Sequence, residues 1–450
     1  MNTLKLDEAC GRSGKTVLSG CALTSMIPQK SAPLEKCGGD ALIRTHSGNI
    51  AMTDEMLSRG TLFLGSTGSG KTNTVMMLLD SILSHLTSDD AVIIFDSKRD
   101  FIERFYAPER YECVVVSSEK ADCGTARSWN LFEECCGVGA RRGGKVTIDD
   151  DVLFRAKELS RALMKNLESA EQPFFHIAAA DVFKMTVLSF IANAAVTGDA
   201  SSLTNSALAD FLDSASAAEL FGMARGKFGY IRSYLGNPSS PTPQSLGVEG
   251  FLHAMCSDTF TGPFRSNCPS GDFSMRGIVR DKGGRVVFIE YDVSRGASLA
   301  PVYSFLFDSA IKEQLSCGTG RTYLFCDELS LLPHCEHLSD ALNIGRSRGL
   351  RTVSSLQSVN QLYSAYGEAQ GRAILAGFVN CFAFYSDADT REFVSRRFGK
   401  TFEVIKYAGE NITREGFAAD DETMMSLIPG EAAADLFGYP KMRFRAEKFV

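Results

Sequence analysis

Residues 61–86 read TLFLG, STGSG and KTNTVMMLLDSILSHL: a short apolar run, a glycine-rich turn, then apolar positions recurring at helical spacing. The turn, GSTGSGKT at 65–72, satisfies the pattern G-x-x-x-x-G-K-[ST] between a buried strand and a helix. This feature constrains the fold most, because a strand that turns directly into a helix belongs to an α/β sheet. It also specifies chemistry. Across Gly65, Ser66, Thr67, Gly68, Ser69 and Gly70 the backbone can wrap a phosphate chain with its amide hydrogens pointing inward. Lys71 is placed to reach the outer phosphates and Thr72 a magnesium ion, so the expected ligands are ATP and Mg2+.

The same rhythm continues with a buried strand at Ala91 to Phe95, a helix near Phe101 to Tyr106 and a strand at Tyr111 to Val116. Strands alternating with helices predict a mostly parallel central sheet covered on both faces. The rhythm stops after Cys136. From about Asp149 to Cys256 the windows have helical period, as in VLFRAKELSRALMKNL and AAADVFKMTVLSFIANAAV, and strand signals return at Arg285 to Tyr291, Thr322 to Cys326, Arg351 to Ser355 and Cys381 to Tyr385. The expected organisation is an irregular arm at 1–42, a nucleotide-binding domain at 43–140 and 271–450, and an all-helical insertion at 141–270.

A glycine-rich phosphate loop leaves the reaction open among kinases, GTPases and motor ATPases. RTYLFCDELSLL narrows it: a buried strand ends in Asp327, suited to hold magnesium through water, and Glu328, suited to orient and deprotonate an attacking water. Neither a guanine-selecting NKxD pattern nor an LSGGQ signature is present. In GRSRGLRTVSSLQS, Gln357 follows a strand at a position from which an amide can sense a terminal phosphate. Arg346, Arg348 and Arg351 precede that strand, where an arginine can reach a neighbouring subunit's nucleotide.

Taken together, GSTGSGKT, IIFDSKRDFIERF, SWNLFEEC, FSMRGIVRDKGGRVVFIEYD, LFCDELSLL, SRGLRTVSSLQSVNQLYSAYG and LIPGEAAADLFGYPKMRFR occur in the order seen in the conjugative coupling proteins. From about residue 43 to 450 the chain resembles that TraD and TraG group, within the FtsK and HerA superfamily of ring-forming DNA motors. In IIFDSKRDF, Ser97 and Arg99 stand where the family has proline and glycine. The resemblance implies a RecA-like P-loop NTPase core and a hexameric ring that threads single-stranded DNA without sequence preference. Its implied partners are a relaxase and secretion-channel proteins, with the helical insertion recognising cargo. It also selects Arg346 as the finger, 18 residues after Glu328 and 11 before Gln357. The alternative within the superfamily is a motor for segregation, end processing or packaging. A nucleotide-switched assembly module without turnover is a third, and it would be expected to lose Glu328, Arg346 or Gln357 first.

Composition adds limits. Lys+Arg 47 against Asp+Glu 54 gives a formal charge of -7, so contact with nucleic acid must be local. The basic clusters are Arg141, Arg142 and Lys145; Arg276, Arg280, Lys282 and Arg285; and Arg391, Arg396, Arg397 and Lys400. Thirteen cysteines without a CxxC pair read as reduced thiols. Leu18, Ser19, Gly20 and Cys21 mimic a lipoprotein cleavage box without an apolar region before them, and the apolar stretches Thr74 to Leu86 and Thr186 to Val196 are too short to span a bilayer. The expected location is cytoplasmic, with recruitment to the inner face of the membrane through another protein.

Overall fold

The run Thr61–Leu64 is buried at every position. In this computed structural model, which describes residues 15–25, 27, 41–118, 126–137, 146–165, 173–265, 272–292, 294, 296–332, 335–407 and 410–450, that run lies inside the largest sheet. The described strands are, in chain order, β1 (Lys15–Gly20), β2 (Ala41–Thr45), β3 (Gly48–Met52), β4 (Thr61–Leu64), β5 (Asp90–Asp96), β6 (Cys113–Val116), β7 (Ser128–Trp129) and β8 (Asp272–Phe273). They continue with β9 (Arg285–Glu290), β10 (Arg321–Cys326), β11 (Leu350–Leu356), β12 (Asn380–Ala383), β13 (Lys400–Tyr407), β14 (Glu410–Phe417), β15 (Glu431–Asp435) and β16 (Met442–Arg445).

The chain forms two compact units. The first contains Met1–Ile94, Gly318–Leu331 and His337–Val450. Its sheet runs β16, β15, β12, β4, β11, β10, β5. β4 pairs in parallel with β11 on one side, Thr61 opposite Val353, and with β12 on the other, Thr61 opposite Asn380. β10 is parallel to β11, whereas β15 and β16 close the edge in antiparallel register. Both β4 and β11 are buried throughout, as strands covered on two faces must be. The fold is therefore α/β with a mostly parallel RecA-like core sheet.

Where the sequence suggested an irregular arm, residues 15–20 form β1, which pairs antiparallel with β13; the LSGC stretch is that strand and its exit, where Cys21 N–H donates to Lys400 O at 2.9 Å. β13 and β14 form a hairpin beside it that sequence periodicity did not reveal.

The second unit contains Phe95–Cys317 and Leu332–Glu336. β6 pairs in parallel with β9, and the short β7 with β8. Between 149 and 265 the described residues are essentially helical, which is the inserted all-α part of the fold. Its longest helix, Pro173–Thr197, corrects the expectation of a stretch too short to span: by length and composition it could cross a membrane. Asp181 and Lys184 interrupt the apolar run within this helix and form an ion pair with each other at 2.5 Å. More than half of the apolar window is buried against neighbours that include Asp150–Leu163 and Pro243–Thr259, the packing of a core helix. The described cysteines are all free thiols.

Candidate functional site

Because β4, β10, β11 and β12 run in parallel, the residues that leave their carboxyl ends emerge at one pole of the first unit's sheet. Gly65 follows β4, Gln357 follows β11, and Asp327 with Glu328 follows β10, two strand spacings, or about 10 Å, from β4. Segments far apart in sequence are thus brought together by strand order alone.

The loop after β4 is held from several sides. Ser66 N–H donates to Tyr385 O at 2.7 Å and Gly65 N–H to Leu356 O at 3.2 Å. Gly430, from the turn before β15, donates its N–H to Ser69 O at 2.8 Å. Gly70 has φ of +108° and leads into the helix Lys71–Leu83; a Cβ there would sit 2.9 Å from Gly430 Cα, and one at Gly65 would sit 2.7 Å from Phe384 Cβ. Glycine is required at both places by close approach as well as by backbone angle. The sequence carried no signal that a C-terminal segment would brace this loop.

Lys71, buried at the helix start, donates through Nζ to Gly65 O and, at 3.1 Å, to Ser66 O. Thr72, the second residue of the helix, is half-buried. Thr67 Oγ1 donates to Gln357 Oε1 at 3.1 Å, joining the loop to the end of β11. Asp327 and Glu328 are both buried. Burial pushes the Glu328 carboxyl above the ordinary glutamate value of 4.5, while the Ser330 hydroxyl, the Lys71 charge and the Gln357 backbone N–H pull it back and the Asp327 charge adds to the rise. Ser330 Oγ donates to Glu328 Oε1 at 2.7 Å, a contact that sequence reasoning missed.

These residues fit a phosphate chain. Gly65, Gly68 and Gly70 hold the loop with positive φ, the Ser69 hydroxyl is buried without a hydrogen-bond partner, and Lys71 turns back onto its own loop's carbonyls, leaving its charge inside the turn.

Arg346 is not brought to this pole. It lies in the short 3-10 turn Gly345–Arg348 ahead of β11, at the opposite end of a seven-residue strand and so about 20 Å from Gln357. Its side chain is half exposed and meets Glu55 at 3.3 Å. Arg351 makes two bonds to Asp54, at 2.9 and 2.7 Å, and is buried; it holds the fold together.

The basic clusters are largely neutralised where they stand. Arg276 and Arg280 both bond Glu313, Lys282 is buried against Gln314, and Arg285 bonds Glu112. Arg391, Arg396, Arg397 and Lys400 pair with Asp421, Glu392, Asp435 and Glu415. Arg141, Arg142 and Lys145 lie outside the described residues.

A family profile described as the type IV secretion-system coupling protein DNA-binding domain matches residues 44–426. The chain belongs to that family. Among curated coupling-protein relatives, "Coupling protein TraD" of Escherichia coli (strain K12) is 24% identical over 456 residues, which cover 95% of this chain and 58% of TraD; the chain thus spans little more than half of that relative. The solved structure of "Plasmid coupling protein TrwB in complex with ADP and Mg2+" matches with a TM-score of 0.70 at 20% identity, covering 96% of this chain and 95% of TrwB. VirB4 of Thermoanaerobacter pseudethanolicus matches with a TM-score of 0.56 at 14% identity, covering 95% and 99%. These two likenesses establish that the coupling-protein chain shares their fold.

Proposed function

We propose that this coupling-protein chain is an ATP-driven DNA translocase that delivers relaxase-bound single-stranded DNA to a type IV secretion channel. It works as a hexameric ring on the cytoplasmic side of the membrane, and its helical insertion, at about 141–270, meets the cargo. The observation that carries this reading is the convergence of the Lys71 loop, Asp327, Glu328 and Gln357 at one sheet pole, close enough for the Lys71 charge to act on Glu328. The family description, a type IV secretion-system coupling protein DNA-binding domain, and relatives named for coupling and conjugal transfer support the reading.

In this reading the amides of residues 65–70 and the helix amino end hold the phosphates, while Lys71 shifts from its loop carbonyls to the outer phosphates. Thr72 and Asp327 would hold Mg2+, which would supply charge neutralisation at the phosphate oxygens. Glu328 is the base. Burial and Asp327 raise its proton affinity, which suits it to take a proton from water, and Ser330 fixes its orientation. Gln357, tied to the loop through Thr67, couples the state of the outer phosphate to β11. Arg346 is an arginine finger that acts on a neighbouring subunit's nucleotide, since its own chain holds it away from the phosphate loop.

The test is hydrolysis by the purified chain with and without single-stranded DNA, beside Lys71→Ala. Stimulation by DNA and its loss in the variant is the expected result. Absence of hydrolysis with several DNA forms would return the chain to a nucleotide-switched assembly module.

A further inference from the structure

Among the described residues, the basic clusters at 276–285 and 391–400 are largely matched by carboxylates, but one segment of the second unit is not. Residues 221–234 read FGMARGKFGYIRSY and alternate basic with aromatic side chains. The segment forms the end of the helix Ala217–Met223, the 3-10 helix Gly226–Ile231 and the start of the helix Arg232–Leu235. Arg225, Lys227, Tyr230 and Arg232 are all exposed. Among the described residues no carboxylate pairs with Arg225, Lys227 or Arg232; Arg225 Nε donates only to Gly222 O, at 2.6 Å. The nearby acids are already engaged: Asp181 holds Lys184, and Glu219 closes the capping box of its helix with Ser216.

The aromatic rings form a connected surface beside these cations. Tyr230 packs on Tyr234 with centroids 5.8 Å apart, and Tyr234 on Phe174 at 5.5 Å. Tyr230 is 44% exposed and Phe174 37%, so both present ring area to solvent. Lys227 lies 5.4 Å from the Phe228 ring centroid, and the Arg232 guanidinium 4.8 Å from that of Phe221. Lys184 Nζ donates to Tyr230 Oη at 3.4 Å and steadies that ring.

We propose that this face is a binding site for single-stranded DNA, with Arg225, Lys227 and Arg232 contacting phosphates and Tyr230 and Phe174 stacking with bases. Unpaired cations interleaved with exposed aromatic rings are the combination that a strand with unstacked bases satisfies. A duplex hides its base faces and could use the cations alone. The assignment rests on reading the chain as a DNA motor and adds where the strand is gripped, on the helical part of the second unit.

The experiment measures binding of a fluorescent oligothymidylate to the whole chain across a salt series, for the parent, for R225A/K227A/R232A, and for Tyr230→Ala. Retained ATP binding in each variant serves as the folding control. Without the three cations that meet phosphates, the triple variant should bind more weakly and lower the slope of log affinity against log salt by about 2. Tyr230→Ala should weaken binding by about 5- to 100-fold with little change in slope. A triple variant with the parent's affinity and slope overturns the proposal, as does a face that captures a protein partner while DNA binding is unchanged. A parent chain that binds no DNA overturns the motor reading together with this one, so the two failures are distinguishable.

Discussion

Glu328 carries a pH signature at the residue scale. Its carboxyl is held above the usual 4.5, so the fraction available as a base falls as pH drops through that raised value. In the pH–rate profile of DNA-stimulated hydrolysis, the acid limb should lie above pH 4.5, and Ser330→Ala should move it further up by removing a hydrogen bond to the charged form. An acid limb that stays in place in Ser330→Ala would show that this hydroxyl does not tune the base. Gly70 makes a different prediction. With φ of +108° and Gly430 Cα 2.9 Å from any added Cβ, Gly70→Ala should cost about 1–3 kcal/mol and loosen the loop, read as a lower unfolding midpoint and weaker nucleotide binding. An unchanged midpoint and affinity would mean that the bracing by Gly430 is inconsequential. Lys71 and Glu328 were legible in the sequence because a fixed spacing of residue types encodes them. Ser330, Gly430 and the segment Arg225 to Tyr234 were not. Gly430 meets the loop only because the fold brings it there, whereas Ser330 lies two residues after Glu328 and belongs to no pattern that marks it as a partner. In the last, glycines and aromatics dilute the charge that a search for basic clusters looks for.

At the scale of elements, Glu134 joins two of them within the second unit. It lies in the helix Leu131–Cys136 after β7, is fully buried, accepts from Trp129 Nε1 at 3.0 Å, and also accepts from the backbone N–H groups of Met275 and Arg276 after β8. Burial pushes its carboxyl up to about 7 against that hydrogen bonding. The folded state therefore holds this proton more tightly than the unfolded chain. The resulting stability is fully present below pH 4.5 and lost as pH rises through 7, on the order of 3 kcal/mol in all. Unfolding in urea followed by the fluorescence of Trp129, the chain's one tryptophan, should show a fall in stability between pH 5 and pH 8 that shrinks in Glu134→Gln. An equal fall in the variant would place the titration elsewhere. The core strands were readable because both their faces are buried, giving continuous apolar runs such as Thr61–Leu64. β13 and β14 were not: KTFEVIKY and ENITREGF mix charged with apolar residues and lack a short turn signal between them. The helix Pro173–Thr197 was legible from its period across AAADVFKMTVLSFIANAAV, but its uninterrupted apolar stretch began only after Asp181 and Lys184, which pair with each other.

On the scale of the whole molecule, the position of Arg346 makes assembly testable. It sits at the sheet pole opposite the phosphate loop, so any part it takes in hydrolysis must be played in a neighbour's site. Arg346→Ala should keep nucleotide binding and lose turnover by about a thousandfold or more. Mixed with Glu328→Gln, it should regain activity, because some interfaces then combine an intact Glu328 with an intact Arg346. Mixtures no more active than the separate variants would rule out a shared site. The spacing to Glu328 and Gln357 pointed to Arg346, but only strand direction shows that it faces away from its own loop.

Strand order carries Lys71 and Glu328 to one sheet pole, where the proposed mechanism has them act on one nucleotide. The direct measurement is ATP affinity and turnover of Glu328→Gln on the whole chain with single-stranded DNA present. Affinity like the parent's with turnover reduced by about a hundredfold or more is the expected result. Turnover equal to the parent's would contradict it.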